Sequence, residues 1–76
     1  MKDFIEFIAK NLVDKPEEVS ITEEVKDNKV VFKLKVGESD IGKVIGKKGK
    51  TAQALRTLLS AVGAKEGKRA ILEIVD

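Results

Sequence analysis

The 76-residue chain has no cysteine, no histidine, no tryptophan and no tyrosine, and a single proline. The first two absences remove the thiolate nucleophile, the disulfide staple, the imidazole base and the Cys/His zinc site together. A chain this short buries only ~60% of its unfolded surface and leaves little for a catalytic pocket. A protein without enzymatic activity, metal or cofactor is expected. The only aromatics, Phe4, Phe7 and Phe32, fall on or beside the predicted core faces. That argues against a base-stacking platform of the RRM or OB type, which needs exposed rings. Long apolar runs are missing too. The stretch "FIEFIA" is interrupted by Glu6 and closed by Lys10, so it lacks the apolar core of a signal peptide and the length of a membrane span. The cytoplasm is the expected location.

Charge is plentiful instead. Charged residues make up 37% of the chain, mostly Lys and Glu, a composition seen in heat-adapted proteins. The net charge of +2 is unevenly spread. Residues 41 to 65 carry Lys43, Lys47, Lys48, Lys50, Arg56 and Lys65 with no acid, a block of +6 in a remainder of −4. The same region holds "DIGKVIGKKGK", residues 40 to 50, with three of the six glycines and four lysines. A basic run alone is most often a solvated face; coinciding with a glycine cluster, it points to an anionic partner.

Periodicity divides the chain into six elements forming one domain, residues 1–76. Phe4, Ile5, Ile8 and Leu12 give residues 2 to 13 a helical stripe, stopped by Pro16. Residues 19 to 25 and 29 to 36 alternate with period two, the second placing Val30, Phe32, Leu34 and Val36 on one face, and Asp27-Asn28 makes the turn of a hairpin. Ser39 reads as the N-cap of a very short helix with Ile41, Val44 and Ile45 on its apolar face, ending at Gly46. A longer helix is expected over residues 50 to 62, with Leu55, Leu58, Leu59 and Val62 at helical spacing and Gly63 as its C-cap. Residues 69 to 75, "RAILEIV", form the closing strand. The order αββααβ implies an α+β fold, with three helices on one face of a three-stranded mixed sheet. The hairpin strands run antiparallel, and the helical crossover makes the second and third strands parallel.

At "VIGKKGK", between two helices, the sequence resembles the KH domain, whose Gly-x-x-Gly loop clamps nucleic-acid backbone. Here the loop is Gly46-Lys47-Lys48-Gly49. The element order matches the type II variant, and the whole chain is similar to the small stand-alone bacterial KH proteins of the KhpA family. The resemblance implies non-catalytic binding of single-stranded RNA, as a chaperone or post-transcriptional regulator. It also implies a larger KH-containing protein as partner.

The residues support that expectation independently. Glycine at 46 and 49 lets the backbone approach a phosphate or adopt unusual dihedrals. The next helix begins directly after, aiming its unpaired N–H groups and positive dipole end at the same spot. Lys47, Lys48, Lys50 and Lys43 supply cations, and Ile41, Val44 and Ile45 offer a groove wall for bases, although part of that face must also pack the core. Single-stranded DNA is a second substrate class, since nothing in the sequence reads a 2′-OH. Arg56 and Thr57 are expected to position the long helix rather than read a base.

Three other readings are weaker. "GKKGKT" ends like a Walker A loop, but Val44 stands where its first glycine is needed, and a helix precedes it. A helix-turn-helix would have only Gln53, Arg56, Thr57 and Ser60 for base reading. A KH-fold scaffold that works only through protein contacts is the serious alternative. The apolar positions of the long helix cover about half its circumference, more than one core stripe needs. Ala54, Leu58 and Ala61 are left as a second stripe, the expected interface of a homodimer unless the first helix covers it.

Overall fold

The computed structural model describes residues 1–75. Helix α1 spans Lys2–Leu12, strands β1 and β2 span Ser20–Lys26 and Lys29–Lys35, helix α2 is Ile41–Ile45, helix α3 is Lys50–Lys65 and strand β3 is Arg69–Val75. Single 3₁₀ turns lie at Pro16–Glu18, Glu38–Asp40 and Lys47–Gly49. The sheet order is β1-β2-β3, with β1 antiparallel and β3 parallel to β2. The expected α+β architecture and strand directions are therefore present.

Strand β2 is central and carries the core. Val30, Phe32 and Leu34 are wholly buried on its helix-facing side, each stabilising the fold by about 1.5–3 kcal/mol. Ile5 and Ala9 of α1, Val44 of α2, Leu55 and Leu59 of α3 and Leu72 of β3 close over them. The hairpin turn is the two residues Asp27-Asn28, where Asp27 takes φ 54°, a left-handed conformation that Asp tolerates.

Four local expectations need correction. On α1 the buried stripe is Ile5 and Ala9, while Phe4 and Leu12 are well exposed and Phe7 is 68% exposed. With Ile5 and Ala9 turned inward at i, i+4 spacing, Phe4 and Phe7 fall outside the buried stripe, so the aromatics are not all core residues. The helix stops at Leu12 because Val13 is already extended, at φ −101° and ψ 160°. Ser39 is not an N-cap: residues Glu38–Asp40 form a 3₁₀ turn and Asp40 occupies the cap position, without a side-chain cap bond. Gly63 lies inside α3, which continues to Lys65. A Cβ there would sit 2.8 Å from the Lys68 carbonyl oxygen and 2.9 Å from Ala70 Cβ. Gly63 is needed for close packing of α3 on β3, and Gly67, at φ 72°, makes the turn that follows.

Candidate nucleic-acid interface

Helix α2 has five residues, and a helix so short has no stability of its own. Two anchors hold it. Val44 is wholly buried in the core. Asp40, just before the helix, is 1% exposed, and its carboxylate accepts hydrogen bonds from the backbone N–H of Asp14 (3.2 Å) and Lys15 (3.0 Å), in the segment after α1. Lys43 Nζ lies 3.5 Å from Asp40 Oδ1 and also donates to Asp14 Oδ2. Burial pushes the Asp40 carboxyl up, but the two amides and the Lys43 charge outweigh it and hold the group below its ordinary range. The bond to Asp14 raises the Lys43 ammonium, against a smaller opposing effect of burial, and both nearby carboxylates add to the rise.

At 100° per residue, Ile41 and Ile45 share one side of α2 and Lys43 lies on the opposite one. The expected trio thus divides: Val44 packs the core, whereas Ile41 is half-buried and Ile45 is 36% exposed. Ile41 lines an open depression of about 440 Å³ with Lys35, Val36 and Glu38. Val44 is thus committed to the core, and Lys43 is paired with the Asp14 and Asp40 carboxylates, unlike the loop lysines.

The loop itself is built from backbone conformations that most residues resist. Gly46 takes φ 78° and ψ 173°, Lys48 φ 56° and ψ 26°, and Gly49 φ 74° and ψ 13°. The turn is closed by Gly46 N–H donating to Gly42 O (2.8 Å) and Gly49 N–H to Gly46 O (3.1 Å). The two glycines are required for different reasons. A Cβ on Gly46 would collide with the Thr51 side chain and lie 2.8 Å from the Thr51 backbone N. A Cβ on Gly49 would meet nothing within 4 Å; only its dihedrals demand glycine, and the space beside it is open. Lys48 is a non-glycine residue in the left-handed region, a strain of about 1–2 kcal/mol of the kind that gathers at functional sites.

Helix α3 starts at Lys50 with no side chain capping its first amides. The Gly49 and Lys50 N–H groups are taken by Gly46 O and Lys47 O within the loop's own 3₁₀ turn, so it is the amides from Thr51 onward in the first turn that are left for an anion. Lys47, Lys48 and Lys50 are exposed, and none forms a salt bridge among the described residues. Farther along α3, Arg56 Nε donates to Leu72 O at 3.4 Å and Thr57 Oγ1 to Gln53 O at 3.0 Å, so both side chains brace the helix. Sequence reasoning missed Asp40. An acid directly before a short helix reads as an ordinary N-cap, and its long-range partners at residues 14 and 15 leave no local pattern.

A short, strained, glycine-bounded loop joining two helices of an αββααβ fold is the arrangement of a KH domain. Comparison with known families agrees: the model for the KH domain of KhpA and KhpB matches residues 2–74, and the chain belongs to this family. It is 47% identical over 75 residues to the RNA-binding protein KhpA of Clostridium perfringens, covering 99% of this chain and all of that one. It is 49% identical over all 76 residues to the KhpA proteins of Aquifex aeolicus and Listeria monocytogenes, covering 96% and 100% of those chains. No solved structure matches significantly.

The Asp40 cluster makes stability pH-dependent on both sides. A depressed carboxyl contributes stability above its unfolded value, near 3.8, which is lost as pH falls toward the lower folded value. A raised ammonium contributes below its unfolded value, near 10.5, and that part is lost as pH rises through the higher folded one. Thermal melts across pH should show Tm falling at both extremes. Asp40→Asn should lower Tm at neutral pH and flatten the acid limb; an unchanged acid limb would exclude Asp40 as its source.

Proposed function

We propose that the chain binds single-stranded RNA without catalysis, acting as an RNA chaperone or post-transcriptional regulator in a bacterial cytoplasm. The observation that carries this reading is the Gly46–Gly49 loop, which sets the first turn of α3, from the Thr51 amide onward, among three lysines that have no carboxylate partner among the described residues. A sugar-phosphate backbone fits such a site, because its anionic oxygens accept from backbone N–H groups while the lysines neutralise the flanking charge. Ile41 and Ile45 flank the loop as the apolar side on which bases rest. The relatives named RNA-binding proteins support the choice of RNA over DNA. No helix among the described residues is long and apolar enough to cross a membrane, which is compatible with the location.

The partner reading extends this. Ala54, Leu58 and Ala61 are all exposed, Leu58 at 47%, so α1 does not cover the second stripe of α3. We assign this stripe to self-association, and the larger KH-containing partner to the same surface or beside it. Pairing two weak single-site binders raises avidity for RNA.

Replacing Lys47 and Lys48 together by Asp should abolish RNA binding and leave the fold intact. Both side chains are exposed, so stability should move by no more than ~0.5 kcal/mol. In the parent, three or four phosphate contacts give a slope of log K against log salt of roughly −2 to −3. A folded double variant that binds a short unstructured RNA with parental affinity and slope would refute the loop as the clamp. For the stripe, sedimentation should show a dimer that Leu58→Glu converts to a folded monomer; a parent monomeric at high micromolar concentration would contradict the assignment.

A further inference from the structure

All three helices lie on one side of the sheet, so its other side is open. Alternation places Val30, Phe32 and Leu34 toward the helices, and hence Lys29, Val31, Lys33 and Lys35 on the open face. The pairing register extends this across all three strands. Lys33 meets Glu24 on this face at 3.6 Å. Among the described residues its charged side chains are Lys26, Lys29, Lys33, Lys35 and Arg69 against Glu24 and Glu73, a net of +3. The basic charge is therefore not confined to residues 41 to 65. The acids that mask it along the chain stand largely elsewhere, on α1 and in the connecting segments, which charge arithmetic on the sequence alone does not reveal.

The concentration is sharpest in one row. Lys26 is directly opposite Lys29, and Lys29 directly opposite Arg69, so three cations of three adjacent strands stand side by side. Like charges facing one another across strands are destabilising, and none of the three forms a salt bridge among the described residues. The acid nearest in the chain is Asp27, in the adjoining turn. Such a row costs stability on its own and is favourable beside a polyanion.

A basic path links it to the loop. Arg56 follows Lys50 by six residues, about 9 Å along α3. Arg56, Ser60 and Arg69 line an open depression of about 250 Å³ between α3 and the free edge of β3. Lys50, Arg56 and Arg69 thus lead from the loop round that edge to the row. The row stands at one end of β2, and Ile41, which opens α2, lines a depression with Lys35 at the other, about 20 Å along the strand.

We infer that the row Lys26, Lys29 and Arg69 is a second contact surface for RNA phosphates, engaged by strands long enough to leave the Gly46–Gly49 loop and pass round the β3 edge. It rests on the RNA-binding reading above and adds a length dependence that the loop alone does not produce. A strand of about four nucleotides fills a KH loop site, so a short RNA reaches only the loop and a long one reaches both surfaces, the second at high effective concentration.

The test measures anisotropy of unstructured RNAs of about 5 and about 20 nucleotides with the parent and with the triple variant Lys26→Gln, Lys29→Gln, Arg69→Gln, across salt. The short RNA should bind both proteins alike. The long RNA should bind the variant about tenfold more weakly, with a salt slope shallower by about 2. The variant's Tm should equal or exceed the parent's, since repulsion has been removed. Should the triple variant fail to fold, Lys26→Gln and Arg69→Gln singly should each reduce the slope by about 0.7. Parental affinity and slope for the long RNA would overturn the inference alone, leaving the loop reading intact. An equal loss on both lengths would also overturn it, by placing the row in the primary site or the fold. A parent that binds neither RNA would remove both readings.

Discussion

A five-residue helix cannot hold itself, so whatever the Gly46–Gly49 loop does depends on how α2 is fixed at its start. Asp40 does this with a buried carboxylate, and burying a charge is costly unless it is paired and hydrogen-bonded. Here two backbone amides after α1 and the Lys43 ammonium satisfy it, and no buried side-chain polar atom among the described residues lacks a partner. The same interaction ties the segment after α1 to the helix that presents the loop. One charge thus couples the N-terminal helix to the candidate interface.

With α2 fixed, the loop's conformation follows from sterics. Gly46 is hemmed in by Thr51, Gly49 is free of neighbours but left-handed, and Lys48 bears the strain of a side chain in a glycine-like conformation. A rigid turn of this kind holds its donors in place before an anion arrives, which lowers the entropy lost on binding. The electrostatics divide in parallel. Lys43 belongs to the structural cluster, while Lys47, Lys48 and Lys50 form no salt bridge among the described residues. The four lysines between residues 43 and 50 look alike in the sequence and have two different occupations in the fold.

Much of the architecture was legible in the sequence because it rests on short-range patterns. The alternation in β2 identified its buried face residue by residue, the bounds of β3 were read as observed, and the crossover rule gave its direction. The loop was legible because its glycine spacing and flanking helices form a local signature. What escaped was tertiary. Ala9 carries too weak an apolar signal to reveal that α1 turns Phe4 and Phe7 outward. Gly63 looked like a helix stop because the Lys68 carbonyl and Ala70, which exclude a side chain there, come from the following turn and strand. Asp40 was missed because its backbone partners at residues 14 and 15 lie 25 or more residues away, the pairing of Lys43 with Asp14 is as distant in the chain, and the cross-strand row of cations exists only once the register is known.

The central claim is that the Gly46–Gly49 loop and the first turn of α3 from Thr51 onward receive the RNA backbone. Titrating isotopically labelled protein with a short unstructured RNA and following every backbone amide by NMR tests it most directly. The largest shifts should fall on Gly46 to Thr51, with smaller ones at Ile41 and Ile45 and little change at Lys43. Shifts concentrated on the exposed faces of α1 or the middle of α3, with the loop amides unmoved, would contradict the account.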